Sequence, residues 1–411
     1  MQPSTSSLHK GISTFVPGQQ NLLAQDISLP AAVLYQSRID NNLAWMQGYA
    51  NQTQVKLAPH GKTTMAPGLF QQQMAAGAWA ITLASAPQVQ VAYHHGIKRV
   101  ILANELVGKS NMQMIADLLQ DPDFEFYCLT DSAQHAKLLA DFFGHVKTPL
   151  KVLLEIGVSG GRCGCRTPEQ IQQTLDVIHT SEYLQLAGVE FYEGVIHGDN
   201  EVTLIKQFVA HMIEQTLTLL AAKAFDTSRV LLTGAGSAWY DLVAESFQQA
   251  RLPSQIIPVI RPGCYLIHDT GIYQSSQQAL KQRSQVACDI KGDLSSALEV
   301  WAYVQSIPEP GHAIIGMGKR DTAFDAGLPS PELLVKPGDG IDNVVTLDSQ
   351  WQLTDIMDQH AYLSFPEGAA LKVGDMIAFS TSHPCLTFDK WKQLAVIDDE
   401  YQVIDMMRTY F

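Results

Sequence analysis

The chain has 411 residues, of which 46% are hydrophobic and 17% are charged, a balance typical of a globular protein with room for two or three domains. The formal net charge of -14, without any basic run, argues against a nucleic-acid partner, because phosphate binding requires clustered Lys and Arg. The polar residues 1–10, the lack of membrane-length apolar runs and six scattered cysteines predict a cytoplasmic protein with reduced thiols and no membrane partner.

Residues 1–30 are polar and are predicted to form an N-terminal arm that can join another domain. From Val55 onward, short apolar runs alternate with helix-like segments. The runs cover residues 55–58, 80–83, 99–103, 124–129, 150–156, 186–191, 230–232 and 256–260. Eight such strands separated by helices favour an α/β fold with a (β/α)8 TIM-like barrel, predicted for residues 31–272. A doubly wound parallel sheet is the alternative, since periodicity alone does not distinguish an open sheet from a closed one.

The pattern changes after Gly263, where helical periodicity becomes scarce. Strand-like runs punctuated by Pro, Gly and Asp follow at residues 287–290, 298–307, 313–315, 344–347 and 376–380. They predict a second, mainly antiparallel β domain over residues 273–390. Residues 391–411 carry apolar side chains and are predicted to form a C-terminal tail that packs on the body.

A lysine lies at the ligand-binding edge of the predicted barrel. The first apolar run is stopped by Pro59 and Gly61, so Lys62 lies on a loop after a strand and before a helix. Ligands bind at that edge of parallel sheets. Lysine there is a candidate for a Schiff base with an aldehyde, because desolvation can lower its pKa. An ordinary surface lysine is the alternative interpretation.

Two glycine-containing loops predict a phosphate site. Residues 233–237 (TGAGS) follow the seventh run, and residues 261–265 (RPGCY) follow the eighth. Glycines allow backbone N–H groups to approach an anion, and barrel enzymes often bind phosphate with the loops after strands seven and eight. Plain glycine turns are the alternative.

Three further motifs follow strand ends or lie in the β domain. Arg162 follows the fifth run, and Tyr192 follows the sixth. His383 and Cys385 are spaced to point to the same side of an extended segment, so they can share one metal. An imidazole and a thiolate suit Zn2+, with coordination positions left open for water or substrate.

In their order along the chain, these motifs resemble those of the D-serine dehydratase and D-threonine aldolase family of alanine racemase-like enzymes, over about residues 30–390. The resemblance implies that Lys62 carries pyridoxal 5'-phosphate and acts as the catalytic base. It implies a metal pair at His383 and Cys385, with His360 near the metal and substrate. It assigns the remaining cofactor contacts to His60, Arg162, Tyr192, Thr233, Gly234, Gly236, Ser237, Arg261, Gly263, Cys264 and Tyr265.

The function implied is a lyase that converts a β-hydroxy D-amino acid such as D-serine to a 2-oxo acid and ammonia, with zinc withdrawing electrons from the β-hydroxyl. Retro-aldol cleavage by a D-threonine aldolase is the first alternative. A racemase, which needs a second base opposite Lys62, and a non-catalytic pyridoxal phosphate protein are the others. The resemblance also implies a homodimer that brings His383 of one subunit near Lys62 of the other.

Overall fold

The computed structural model describes Lys10, Val16 and residues 18–411, so most of the predicted N-terminal arm lies outside the described residues. Its strands are β1 (Ala31–Tyr35), β2 (Lys56–Leu57), β3 (Ile81–Leu83), β4 (Arg99–Glu105), β5 (Glu125–Thr130), β6 (Leu150–Glu155), β7 (Leu184–Glu190), β8 (Val230–Gly234), β9 (Ile256–Ile260), β10 (Leu298–Glu309), β11 (His312–Ile315), β12 (Ser330–Val335), β13 (Val345–Thr346), β14 (Gln352–Ile356), β15 (Ala361–Ser364), β16 (Met376–Ser380), β17 (Gln393–Ile397) and β18 (Val403–Arg408).

The α-helices are α1 (Gln36–Gln52), α2 (Pro67–Ala75), α3 (Ala86–His94), α4 (Lys109–Leu118), α5 (Ala133–Val146), α6 (Pro168–Thr180), α7 (Glu201–Ala221), α8 (Tyr240–Ala250), α9 (Ile272–Arg283), α10 (Gln285–Asp289) and α11 (Pro384–Phe388). Within the described residues, none of these helices combines the length and apolarity needed to cross a membrane.

Strands β2 to β9 form the predicted barrel. They pair in parallel in the order β2-β9-β8-β7-β6-β5-β4-β3. Backbone bonds close the remaining gap between β2 and β3: the Trp79 N–H donates to the Leu57 carbonyl at 2.7 Å, and the Thr82 N–H donates to the Pro59 carbonyl at 2.8 Å. The barrel prediction is confirmed, and the open-sheet alternative is wrong.

Side chains of the barrel strands alternate between two cores. On β5, Tyr127 and Leu129 join a cluster inside the barrel, whereas Phe126 and Cys128 join the large cluster between strands and helices. Because successive strand residues point to opposite faces, a strand buried on both faces has no polar positions. This is why the strands appear in the sequence as continuous apolar runs.

The second sheet has ten strands and is mainly antiparallel, as predicted, but it recruits both ends of the described chain. β1 lies between β10, its antiparallel partner, and β17, its parallel partner. The predicted boundary at residue 31 therefore placed β1 wrongly with the barrel. The predicted C-terminal tail supplies β17 and β18, which complete the same sheet.

One predicted strand is a helix. Residues 287–290 were expected to be extended, but α10 covers Gln285–Asp289. The Ser284 hydroxyl accepts a hydrogen bond from the Ala287 N–H at 3.1 Å, which satisfies a free donor at the helix start. A four-residue apolar run fits a strand and a helix turn equally well, so capping decided the outcome.

Candidate active site

A cavity of about 450 Å³ opens at the carboxyl ends of the barrel strands, where the second domain covers them. Its wall contains most of the predicted site residues: His60, Lys62, Arg162, Tyr192, Gly236, Ser237, Arg261, Gly263, Cys264, His383 and Cys385. The structure does not bring Thr233, Gly234, Tyr265 or His360 to this wall. Lys62 and His383 lie in one cavity of one chain, so a second subunit is not needed to bring them together.

The lysine loop is held tightly around an exposed side chain. Residues Gly61–Thr63 form a single 3-10 turn shortly after β2. A Cβ at Gly61 would lie 2.7 Å from the Phe70 ring, so glycine is needed where the turn packs on α2. Thr63 is buried, whereas the Lys62 side chain is exposed to the cavity. Within the described residues, the ion pairs do not include Lys62, so its amine remains available for reaction.

His60 presents an uncharged ring to the cavity. Burial, followed by the positive charges of Lys62, Arg261 and Arg162, holds its pKa well below the ordinary value. Its Nδ1 atom is buried without a hydrogen-bond partner within the described residues. An unpaired buried nitrogen is costly, so this atom is suited to a polar group of a bound ligand.

The loop after β9 directs two backbone donors to one point. The N–H groups of Gly263 and Cys264 both donate to the Ser237 hydroxyl oxygen at 3.1 Å. A Cβ at Gly263 would lie 2.6 Å from the His60 carbonyl oxygen, so only glycine fits. Converging N–H groups beside a hydroxyl form a site of the type that binds phosphate.

In the loop after β8, the backbone N–H groups are already bonded to a carboxylate. Glu193 is fully buried and accepts hydrogen bonds from the N–H groups of Ala235 and Gly236 at 2.9 and 2.8 Å. Gly234 packs under Phe191, and the Thr233 hydroxyl accepts from Arg261 at 3.1 Å. Thr233 and Gly234 therefore support the cavity wall rather than form it.

The charged side chains of the wall are cationic. Lys62, Arg162 and Arg261 line the cavity, and no Asp or Glu does so among the described residues. The Arg162 guanidinium lies 4.9 Å from the centroid of the Tyr192 ring. Arg261 is buried and donates to the Glu190 carboxylate, which fixes its orientation. This lining suits a ligand with phosphate and carboxylate groups.

The predicted metal pair reaches the cavity from the second domain, although not as an extended segment. Pro384 begins helix α11, so Cys385 lies in a helical turn immediately after the extended His383. The His383 Nδ1 lies 2.7 Å from an Asp325 carboxylate oxygen, so Nε2 is the ring nitrogen that can bind a metal. A histidine held by a carboxylate in this way is the usual arrangement of a metal ligand. Cys385 contacts the Thr63 hydroxyl at 3.5 Å.

Two predicted residues lie elsewhere. Tyr265 is buried in the core, where its hydroxyl accepts from the Gln73 side chain at 3.2 Å. His360 is exposed in the turn between β14 and β15, outside the cavity of its own chain. A role for His360 remains a prediction that would require a neighbouring subunit.

Other residues at the site were missed by sequence reasoning. Glu193 directly follows the predicted Tyr192, but nothing in the sequence marks it as the acceptor for the backbone donors of residues 233–237. Asp325 and Tyr273 come from segments without a motif, and Tyr273 on α9 lines the cavity. Tertiary contacts alone bring them to the site, so no local signal could have identified them.

Comparison with known proteins agrees with this architecture. Residues 35–252, more than half of the chain, match the family model of the alanine racemase N-terminal domain, and residues 297–397 match a putative serine dehydratase domain. The D-threonine aldolase of Arthrobacter sp is 22% identical over 395 residues, which are 95% of this chain and 94% of that protein.

Solved structures show the same fold. The D-threonine aldolase from Filomicrobium marinum superposes with a TM-score of 0.78 at 21% identity, over 96% of this chain and 98% of its own. The D-threo-3-hydroxyaspartate dehydratase from Delftia sp. HT23 gives 0.73 at 18% identity, over 95% and 99%. A cysteine-to-alanine mutant of that dehydratase is known in the metal-free form. The chain thus belongs to the alanine racemase N-terminal domain family, and its predicted place among the alanine racemase-like D-serine dehydratases and D-threonine aldolases is confirmed.

Proposed function

We propose that the protein is a pyridoxal phosphate-dependent lyase that dehydrates a β-hydroxy D-amino acid such as D-serine, with zinc as its metal. The observation that carries this proposal is one cavity that combines Lys62, the donor loop after β9 and the His383–Cys385 pair. The named relatives, an aldolase and a dehydratase, support the lyase class.

The residues present fit the cofactor. Its phosphate would be held by the N–H groups of Gly263 and Cys264 and by the Ser237 hydroxyl, which already converge on one point. The unpartnered Nδ1 of His60 offers a contact for a polar ring substituent. When bound, pyridoxal phosphate supplies an electron sink for the carbanion formed at the α-carbon of an amino acid.

Lys62 has two tasks in this proposal. Its Nζ would hold the cofactor covalently between turnovers, and the freed amine would then accept the α-proton of the substrate. Arg162 and Arg261 supply positive charge at the wall, which favours the carboxylate of an amino acid. Arg261 is held by Glu190 and Arg162 stacks on the Tyr192 ring, so both would orient the substrate before the proton moves.

His383 and Cys385 would hold the zinc ion, which supplies Lewis acidity for departure of the β-hydroxyl. Cys385 favours dehydration over retro-aldol cleavage, because a thiolate selects zinc over the harder cations that a carboxylate would suit. Retro-aldol cleavage is retained as the alternative, since the D-threonine aldolase matches nearly the whole chain.

Product analysis with D-threonine separates these reactions. The protein loaded with pyridoxal phosphate and zinc is expected to give 2-oxobutanoate and ammonia, and chelation should slow the reaction until zinc is restored. Lys62→Ala should be inactive, whereas Lys56→Ala, an exposed lysine outside the cavity, should match the wild type. Glycine with acetaldehyde would establish the aldolase, and epimers alone would establish a racemase.

A further inference from the structure

A second thiol lies beside the predicted metal pair. The Cys264 sulfur is 3.6 Å from the Cys385 sulfur, and both residues line the cavity. Cys264 follows β9 in the barrel, whereas Cys385 belongs to the second domain, so two distant parts of the chain bring the thiols together. The sequence predicted Cys264 only as a cofactor contact.

The backbone N–H and the thiol of Cys264 both have polar neighbours. The N–H donates to the Ser237 hydroxyl at 3.1 Å, within the predicted phosphate loop. The sulfur lies 3.8 Å from the Thr63 hydroxyl, and the side chains of Tyr273 and Ser237 are also within its hydrogen-bonding reach. Hydroxyl groups and the Cys385 thiol therefore surround this sulfur, and they can stabilise a thiolate that binds a metal.

The sulfur spacing matches that of two thiolates on one zinc ion. With Zn–S bonds of about 2.3 Å and tetrahedral geometry, two sulfur ligands lie about 3.8 Å apart. The observed 3.6 Å is close to this value and well beyond the length of about 2.0 Å for a disulfide bond. The two cysteines are thus spaced for a shared metal.

Ligand number leads to the same conclusion. Catalytic zinc sites keep three protein ligands and one open position, but the predicted pair supplies only two. We propose, on the basis of the proposed function, that Cys264 is the third zinc ligand and that the site is Cys264, Cys385 and His383 with one position open. Two thiolates and one imidazole form a ligand set known for catalytic zinc.

His383 has to move for this site to form. The ligand atoms of the three residues do not all lie within 4.8 Å of one another, whereas the sulfurs already meet. The imidazole is therefore the ligand that closes, through Nε2, while Nδ1 keeps its bond to Asp325. Asp325 is well exposed in a loop, so it can follow the ring.

Cobalt reports the number of thiolate ligands directly. The holoenzyme is stripped with a chelator and titrated with Co2+, and the sulfur-to-cobalt charge-transfer absorption and bound metal are measured. Wild type should bind one equivalent with the absorption of two thiolates. Cys264→Ser and Cys385→Ser should each lower it to about half and weaken Co2+ binding at least about tenfold. Cys288→Ser, which alters an exposed cysteine on α10, should leave both unchanged.

The outcomes distinguish this inference from the proposed function. If Cys264→Ser shows the same charge-transfer absorption as the wild type, Cys264 is not a metal ligand, and the His383–Cys385 pair is unaffected. Absence of any thiolate absorption in wild type would overturn the metal site as a whole. Retained cofactor absorbance shows that the serine variant is folded. Alkylation of wild type provides a check without a variant, because Co2+ should protect Cys264 as well as Cys385. Protection of Cys385 alone would contradict the proposal.

Discussion

His60 and Glu155 are two titratable side chains near the barrel mouth that burial holds uncharged. Burial, followed by the charges of Glu190 and Glu105, raises the pKa of Glu155 to about 10, and its carboxyl shares a hydrogen bond with Glu105. At neutral pH, Glu155 is therefore protonated and acts as a donor. It helps to keep excess negative charge away from a cavity lined by Lys62 and two arginines.

This burial predicts a pH-dependent stability. In the unfolded chain, Glu155 titrates near 4.5, so between that pH and about 10 unfolding releases a proton. The contribution of Glu155 to stability is thus present below about pH 4.5 and is lost as the pH rises towards 10. Glu155→Gln keeps a neutral donor, so its melting temperature should fall less than that of wild type between about pH 6 and about pH 9.

The matched control is Glu182→Gln, because Glu182 is exposed. Differential scanning calorimetry across the pH range makes the comparison. A Glu155→Gln variant with the same pH slope as wild type would show that this carboxyl is ionised in the folded protein.

Single residues at the site were predictable where the strand pattern placed them and unpredictable where only tertiary packing did. Lys62 and Ser237 follow apolar strands, so their position at the carboxyl edge could be inferred from the sequence alone. Asp325 and Tyr273 lie in segments whose patterns predict no site, and the fold alone brings them close. The meeting of Cys264 with Cys385 likewise depends on how two domains pack.

At the level of elements, the conformation of the loop after β9 is restricted by how closely the loop packs against its neighbours. Gly263 has an ordinary negative φ of -110°, so the glycine is required by its close neighbours rather than by its conformation. A Cβ there would lie 2.6 Å from the His60 carbonyl oxygen and 2.8 Å from the Thr63 hydroxyl. The loop and the lysine turn are therefore in direct contact, and a change in one displaces the other.

Gly263→Ala should weaken pyridoxal phosphate binding at least about tenfold, or about 1.4 kcal/mol, because the displaced loop moves two backbone donors. Titration of the cofactor-free protein, followed by absorbance, gives the affinity. Gly340→Ala is the control, since no atom lies within 4 Å of its added Cβ and its φ is -83°. An unchanged affinity in Gly263→Ala would argue against this loop as the phosphate site.

Elements were predictable in proportion to their length and burial. The barrel strands are buried on both faces, so each appeared as an apolar run bounded by turn residues. The residues 287–290 and the His383–Cys385 segment were expected to be extended, yet helices α10 and α11 occur there. Each is only five residues long, and Ser284 and Pro384, at their starts, decide the conformation.

For the whole molecule, the placement of Lys62 and His383 in one cavity makes a prediction about the expected homodimer. Dimers that carry Lys62→Ala in one subunit and His383→Ala in the other, purified through two different tags, should remain inactive, because neither subunit has an intact cavity. Turnover regained by these mixed dimers would show that the site is shared after all.

Mixed dimers with a His360 variant are expected to behave differently. Because it is exposed and outside its own cavity, any role near the substrate must come from the partner subunit. Mixed dimers of Lys62→Ala and His360→Ala should then regain part of the activity, since one cavity receives both intact residues. Failure to isolate a doubly tagged species would contradict the dimer itself.

The domain boundaries could not be predicted from the local sequence pattern. Strand pairing between Val33 and Ala395 joins residues from opposite ends of the chain, and no periodicity encodes such a partner. The barrel was recognisable because each unit repeats the preceding one.

Because β1 lies between two strands that follow the barrel in the sequence, it has to wait for its partners during synthesis. Ala31–Tyr35 leaves the ribosome before the barrel strands, but its two neighbours, β10 and β17, are both made after them. Until Gln393 emerges, this apolar strand keeps an unpaired edge, which is a template for aggregation. A chain whose synthesis stops between Ile260 and Gln393 would therefore contain every barrel strand and an unpaired strand edge that chaperones and proteases can recognise.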